Sequence, residues 1–294
     1  MELWFTENHT PEVRFSVKVT RQLFSAQGDH QRIDVFDSKE FGRFITLDGS
    51  MLLTEKDEFI YNDMMVHVPM AVHPKVRKVL VIGDGDGGVI RELVRYPQIE
   101  HIDLVEIDEL IMEVCKKYFP NLTSGLDDPR VTIICQDALR FVRGKENVYD
   151  LIIVDATDPY GSGEALFTKE FYGNCFKALA EDGIMVNQHE SPYYAQDAQT
   201  VRRAHKRIVE SFPICKVYQA HIPTYPSGHW LFGFASKKYH PTQEFNGARW
   251  NALGLHTQYY NTRLHVGAFA LPTYVEEMLR DMEERIDPTC GKKI

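Results

Sequence analysis

The sequence predicts an α/β protein: a mostly parallel, doubly wound sheet preceded by a small antiparallel β domain. Three observations carry that expectation. From Lys78 onward, short apolar runs alternate with helical segments, the rhythm of repeated βα units. Residues 12–54 instead show period-two alternation and a hairpin signal at Asp48-Gly49. A glycine-rich stretch, residues 83–88, falls between the first apolar run and the helix that follows it.

Val13 to Val19 alternates apolar and polar side chains, as a half-buried strand does. Arg32–Phe36, Arg43–Leu47 and Met51–Thr54 follow as further strands of one small antiparallel sheet. Met65–Val72 reads as a helix stopped by Pro74. Val79-Leu80-Val81-Ile82 is apolar throughout, which suits a strand buried on both faces. The next strands are Ile102–Ile107, Val131–Cys135, Tyr149–Val154 and Gly183–Asn187, separated by helices over Val89–Tyr96, Glu109–Tyr118 and Thr168–Leu179. Ala195–Phe212 carries an apolar stripe at helical spacing, and two late strands fit Cys215–Ala220 and Trp230–Ala235. Pro272–Arg285 closes the chain as an amphipathic helix. A division into residues 1–57 and 58–294 follows, and 294 residues is room for about two domains.

Lys plus Arg number 33 and Asp plus Glu 42, a formal charge of −9. That balance argues against a nucleic-acid partner and against a surface seeking anionic lipid. No run approaches the roughly 20 apolar residues of a membrane span, and Met1–Glu7 lacks the basic start and apolar core of a signal peptide. The five cysteines (115, 135, 175, 215 and 290) are scattered and contain no Cys-x-x-Cys pair. They read as thiols in a reducing cytoplasm, and no zinc site is expected. Arg202–Arg207 reads as a solvated helix face.

In a doubly wound sheet, ligands bind beyond the carboxyl ends of the strands. There stands Gly83-Asp84-Gly85-Asp86-Gly87-Gly88, with G-x-G-x-x-G spacing at Gly83, Gly85 and Gly88. Glu106 ends the second strand, about where a ribose-binding acid belongs. Two carboxylates in the loop oppose a pyrophosphate, because like charges ~4 Å apart repel by roughly 1 kcal/mol in water and by several where the effective dielectric is ~20. A nucleoside carrying positive charge, such as a sulfonium nucleoside, suits them. The alternative is that the acids cap the helix, Asp84 foremost. Asp137, after the third strand, can accept the exocyclic amine of adenine, cap the helix near Ala138, or both.

The fourth strand ends in Asp155-Ala156-Thr157-Asp158-Pro159, followed by Gly161 and Gly163, the composition of a lid. A turn acid with an N-cap is the bland alternative. Asn187-Gln188-His189-Glu190 ends strand five, and Ile222–Gly228 is a loop able to aim the Tyr225 hydroxyl inward. His189 has no His or Cys at ligand spacing.

Taken together, the chain resembles the spermidine synthase family of aminopropyltransferases over nearly its whole length. The resemblance is carried by Leu47-Asp48-Gly49, Thr54–Tyr61, Gly83–Gly88 with Arg91-Glu92, Glu106-Ile107-Asp108, Asp127–Val131, Asp155–Pro159 with Leu166-Phe167, Ile222–Gly228, Tyr259-Tyr260-Asn261 and Ala268–Pro272. It implies a Rossmann-like sheet of the class I methyltransferase type. It also implies transfer of an aminopropyl group from decarboxylated S-adenosylmethionine to a polyamine, usually putrescine, releasing methylthioadenosine, with no metal and no permanently bound cofactor. By the same resemblance Glu106 holds the ribose, Asp137 the adenine, and Gln31, Asp86, Gly83, Gly85 and Asn62 the rest of the donor. Asp155 is the expected base, assisted by Tyr61. Asp158, Tyr225, Gln188 and Trp4 line the acceptor groove, and residues 155–168 form a gate. Asp158 or Glu190 anchors the distal ammonium. The N-terminal strands make a homodimer or homotetramer.

The chain departs from the family pattern in places. Asp84 stands where the family has Gly, Tyr61-Asn62-Asp63 replaces Tyr-His-Glu or Tyr-Gln-Glu, and Ser162 replaces a Pro in the lid. These differences bear on the acceptor more than on the reaction. Agmatine, cadaverine, diaminopropane or spermidine are the alternative acceptors. The competing classes are an S-adenosylmethionine-dependent methyltransferase and a nonenzymatic polyamine sensor. A nicotinamide oxidoreductase is disfavoured by the loop acids.

Overall fold

The computed structural model describes residues 2–156 and 166–283. Its N-terminal part is two antiparallel sheets rather than one. β1 (Leu3–Thr10) and β2 (Val13–Val19) form a hairpin, and β3 (Arg21–Gln27), β4 (Arg32–Ser38), β5 (Gly42–Leu47) and β6 (Ser50–Thr54) form a meander. β1 and β3 are not legible as strands from alternation. The inward set of β1 is Phe5, Glu7 and His9: Phe5 packs on Phe36 and Phe44, while Glu7 and His9 face a cavity. Apolar and polar side chains therefore do not alternate along it.

The helix α1 runs Glu58–Val72, seven residues longer at its start than the apolar spacing suggests. Its first turns bury Asn62 and Asp63 beside Tyr61, polar side chains that a search for an apolar stripe passes over. The alternation that follows is β7 (Lys78–Gly83), α2 (Gly88–Leu93), β8 (His101–Glu106), α3 (Glu109–Tyr118), β9 (Val131–Cys135), α4 (Ala138–Val142), β10 (Tyr149–Asp155), α5 (Lys169–Ala178), β11 (Leu179–Glu190), α6 (Ala195–Ser211), β12 (Ile214–His221) and β13 (His229–Ser236). Three helices end the described chain, α7 (Gly247–Asn251), α8 (Thr262–Ala268) and α9 (Thr273–Glu283).

The seven-stranded sheet has the order β12-β13-β11-β10-β7-β8-β9. Strands β7 to β11 are mutually parallel, and β13 is antiparallel to both its neighbours. This is the expected doubly wound sheet. Strand β7 shows why it holds together: Val79 and Val81 enter the core on one face, Leu80 and Ile82 the core on the other, and none is more than 1% exposed. Each such side chain contributes about 1.5–3 kcal/mol of burial. The chain winds outward from β7 to β9 and returns to β10 on the other side of β7, so the order reverses between β7 and β10 and leaves a crevice beyond their carboxyl ends. The N-terminal meander packs Ile33, Val35, Ile45 and Leu53 on Ile111, Val114 and Cys115 of α3. That contact seats the N-terminal strands at the rim of the crevice. Among the described residues, no helix is long and apolar enough to cross a membrane.

Candidate active site

A cavity of about 470 Å³ opens at the crevice, walled by the ends of β7, β8, β10 and β11, the start of α1, and strands β1 and β6. Gly83 and Asp155 are register partners at the ends of β7 and β10. Gly83 has φ +86°, and a Cβ there would lie 1.9 Å from the Asp155 carbonyl oxygen. Only glycine permits that approach.

The glycine loop answers the question its acids raise. Asp84 adopts φ +63° and is buried, with its two carboxylate oxygens accepting from Val89 N (3.0 Å) and Ile90 N (2.9 Å). It therefore caps α2 and at the same time faces the cavity. Asp86 accepts from Gly88 N at 2.9 Å. One oxygen of each of Asp84, Asp86 and Asp155 falls within 4.8 Å of the others. Burial and mutual repulsion hold protons on this group: Asp155 is pushed up to about 7 by burial and then by the charge of Asp86, and Asp86 to about 6, chiefly by burial. Asp84 is raised by burial and by both neighbours. Tyr61 reaches in from α1 and donates its hydroxyl to Asp155 Oδ1 at 2.5 Å. Burial, followed by the charge of Asp155, holds that phenol far above its ordinary range, so it remains a donor.

On the β8–β9 side, Glu106 Oε1 accepts from Ile107 N (2.7 Å) and Asp108 N (2.9 Å). A Cβ on Gly85 would stand 2.4 Å from Ile111 Cγ2 and 3.1 Å from the other Glu106 oxygen, so a side chain there would crowd both. Gln31 donates to Asp108 at 2.9 Å, which ties the β3–β4 turn to the rim. Asp137 lines the cavity and caps α4 through Arg140 N at 2.7 Å, so both expected roles are compatible. Asn62 faces the cavity and donates to the Glu58 carboxylate at 2.7 Å. Glu58 is in turn clamped by Arg91 through two bonds of 2.8 and 2.9 Å.

On the β11 side, Gln188 donates to Glu190 Oε1 and to the Ala156 carbonyl, each at 3.1 Å. Glu190, at φ +77°, turns the chain out of the strand. The Tyr225 ring lies 4.6 Å from Trp230 and 6.4 Å from Tyr61, and both Tyr225 and Trp230 line the cavity. The Tyr225 hydroxyl donates to the Leu52 carbonyl at 2.6 Å, so its proton is already committed.

One expectation is corrected. Trp4 does not line the cavity: it is 51% exposed on the outward face of β1, and strand periodicity sends Glu7 and His9 inward instead. Asp63, one of the departures from the family pattern, is not part of the cavity lining: its Oδ2 accepts the backbone N–H groups of Gln258, Tyr259 and Tyr260. Asp158 and most of the expected gate lie outside the described residues, although Leu166 lines the cavity. Glu7, His9, Asp57 and Glu58 also line the cavity without having been singled out from the sequence. Asp57 holds the 222–228 loop by accepting from Thr224 N (3.1 Å) and Thr224 Oγ1 (2.6 Å).

Two groups of described residues are close enough to share a cation, Asp84–Asp86–Asp155 and the buried Asp63–His67–Glu92. The first opens to the cavity. In the second, the His67 imidazole lies 3.4 Å from Asp63 and 3.3 Å from Glu92 inside the core, and against the effect of its burial those two carboxylates raise its pKa above the ordinary value.

The family model for the spermine/spermidine synthase domain matches residues 58–246, and that for the spermidine synthase tetramerisation domain matches residues 3–55. The polyamine aminopropyltransferase of Alkaliphilus oremlandii is 69% identical over 97% of this chain and all of its own length. The enzyme of the same name from Clostridium perfringens is 66% identical over the same shares. A spermidine synthase solved with the transition-state analogue AdoDATO superposes with a TM-score of 0.92 at 41% identity, covering 95% of each chain. Spermidine synthase from Thermotoga maritima gives 0.90 at 41% identity, covering 95% of this chain and 94% of that one.

Proposed function

We propose, on the premise that the chain belongs to the spermine/spermidine synthase family, that it moves the aminopropyl group of decarboxylated S-adenosylmethionine to putrescine, giving spermidine and 5′-methylthioadenosine. The family makes it a polyamine aminopropyltransferase. The identities of donor and acceptor are what this reading adds. The observation that carries it is the Tyr61–Asp155 hydrogen bond at the edge of three clustered carboxylates.

The chemistry asks for that arrangement. An alkyl amine has a pKa of ~10.4 and enters as an unreactive ammonium. Asp155 takes one proton from it. An ordinary aspartate at 3.8 would be a far weaker base than this one at about 7, which is closer to the ammonium it must deprotonate. Tyr61 orients the carboxylate and, through it, the nitrogen. The freed lone pair attacks the propyl carbon next to the sulfonium. The C–N bond forms as the C–S bond breaks, the sulfur keeps the bonding pair, and the positive charge passes from sulfur to nitrogen. Carboxylates fixed on both sides of that path stabilise both ends.

In this reading Glu106 accepts from the ribose hydroxyls and Asp137 from the adenine amine. Gly83 and Gly85 admit the nucleoside to the backbone, with Gln31 and Asn62 at its margins. Asp86 pairs with the amine of the donor's propyl arm, where a carboxylated donor would be repelled. Tyr225, Gln188 and Glu190 line the acceptor side, and Asp158 belongs with them. The match to a tetramerisation domain over residues 3–55 supports a homodimer or homotetramer built on the N-terminal strands, with the division between the parts at residue 57. Cys115, Cys135 and Cys175 as free thiols support a cytoplasmic enzyme.

The test is incubation of the purified protein with decarboxylated donor and a panel of amines, read by mass, with intact S-adenosylmethionine as a parallel arm. Methylthioadenosine and an amine enlarged by one aminopropyl group are expected, with putrescine the best acceptor. Methyl transfer from the intact donor, or no methylthioadenosine with any amine, defeats the reading.

A further inference from the structure

We infer that His9 sets the length of the acceptor: its imidazole is the end wall of the cavity and confines the enzyme to diamines. This inference rests on the aminopropyl-transfer reading above. The cavity extends along the carboxyl edge of the sheet from Asp137, after β9, to Glu190, at the end of β11. Four strand spacings separate those ends, about 19 Å at ~4.8 Å each. The donor occupies the β8–β9 side, so the acceptor extends toward Glu190.

His9 stands at that second end. Strand β1 sends Glu7 and His9 to the cavity, and the residues behind His9 belong to the segment that leads from Glu190 into α6. Its Nε2 lies 3.0 Å from Asp197 Oδ2, and its ring centroid lies 4.5 Å from that of Tyr194. Its Nδ1 is 3.6 Å from Glu7 Oε1. Tyr194 and Asp197 do not themselves line the cavity. The imidazole is thus the layer between the cavity and a second carboxylate, and contacts on both sides hold the ring in place.

A diamine ends before this wall, with its distal ammonium among carboxylates such as Glu7 and Glu190. A triamine carries one more aminopropyl arm, of a size comparable with an imidazole, and one more positive charge. In the wild type that arm meets the His9 ring. Without the ring, the arm has room, and the Asp197 carboxylate faces the added ammonium. Size exclusion of this kind is worth 10- to 200-fold for a single methylene.

The measurement is kcat/KM for putrescine and for spermidine as acceptors in the wild type, His9→Ala and His9→Gln. The ratio of the two is independent of how much of each preparation is folded. The wild type is expected to favour the diamine strongly. His9→Ala is expected to move the ratio at least about tenfold toward the triamine. His9→Gln, which retains a bulky hydrogen-bonding side chain, is expected to stay near the wild type. An unchanged ratio in His9→Ala, or a wild type that uses both amines equally, overturns the assignment of His9. A wild type that yields no methylthioadenosine with any amine refutes the aminopropyl-transfer reading itself, a separate outcome.

Discussion

Gly83 and Asp155 face each other across β7 and β10 so closely that a methyl group on Gly83 would lie 1.9 Å from the Asp155 backbone oxygen. The contact fixes the carboxylate at the point where the sheet changes direction. It also makes Gly83 a positional requirement for Asp155, since the two strands cannot separate without moving the acid. Gly83→Ala adds that clash to a backbone at φ +86°. The expected result is a loss of more than about 3 kcal/mol of stability, or failure to fold. Chemical denaturation checks it, and a variant with near-normal stability would show that the strands part easily.

Removing the proposed base separates chemistry from binding. Asp155→Asn is expected to lower kcat by about 10²–10⁴ while methylthioadenosine still binds in calorimetry. Tyr61→Phe, which removes the 2.5 Å hydrogen bond and leaves the carboxylate, is expected to have a smaller effect on kcat. Normal turnover in Asp155→Asn assigns the base to another residue.

Asp63 belongs to the core and not to the acceptor groove. One of its oxygens gathers three backbone N–H groups from residues 258–260. Asp63→Ala leaves those donors unpaired and is expected to cost about 2–4 kcal/mol in stability. The ratio of kcat/KM among different amines should not move. A changed ratio with unchanged stability would place Asp63 on the substrate side.

The outward position of Trp4 leads to a similar contrast. Trp4→Ala is expected to leave KM for the acceptor within about twofold of the wild type, because surface substitutions away from a site change energies by about 0.5 kcal/mol or less. A tenfold rise in that KM would place the indole in the groove after all.

The parts of the site that can be read from the sequence are those tied to the βα rhythm. Gly83, Asp86, Glu106, Asp137 and Asp155 all sit where a strand ends, and the strands are visible as apolar runs. What escapes has lost that pattern because it faces the cavity. Glu7 and His9 interrupt the apolar side of β1, and Asp57, Glu58 and Asn62 displace the apolar stripe from the start of α1. Trp4 misleads for a related reason: an aromatic residue near the N-terminus suggests a binding wall, yet its direction depends on a strand whose phase the sequence does not display. Asp63 follows two cavity residues in sequence, but one further step around the helix turns it into the core.

The clustered carboxylates make activity and stability respond to pH in opposite directions. Asp155 titrates at about 7 and Asp86 at about 6, both far above the unfolded value of 3.8. A base must be deprotonated to act, so kcat/KM is expected to rise with pH through about 7 on its acid side. The ligand-free fold, however, binds these protons more tightly than the unfolded chain does. The contribution of these groups to stability is therefore complete below about pH 4 and is lost as pH rises through 6 to 7. A cationic donor replaces the missing protons, so the rise in melting temperature it produces should be larger at pH 8 than at pH 5. Asp86→Asn removes the charge that, after burial, contributes most to raising Asp155. It is expected to move the acid limb of the rate profile to lower pH while raising KM for the donor. Rate profiles and thermal shifts measured across pH 5–9 test both halves, and an acid limb that stays in place in Asp86→Asn would mean that burial alone sets the proton affinity of Asp155.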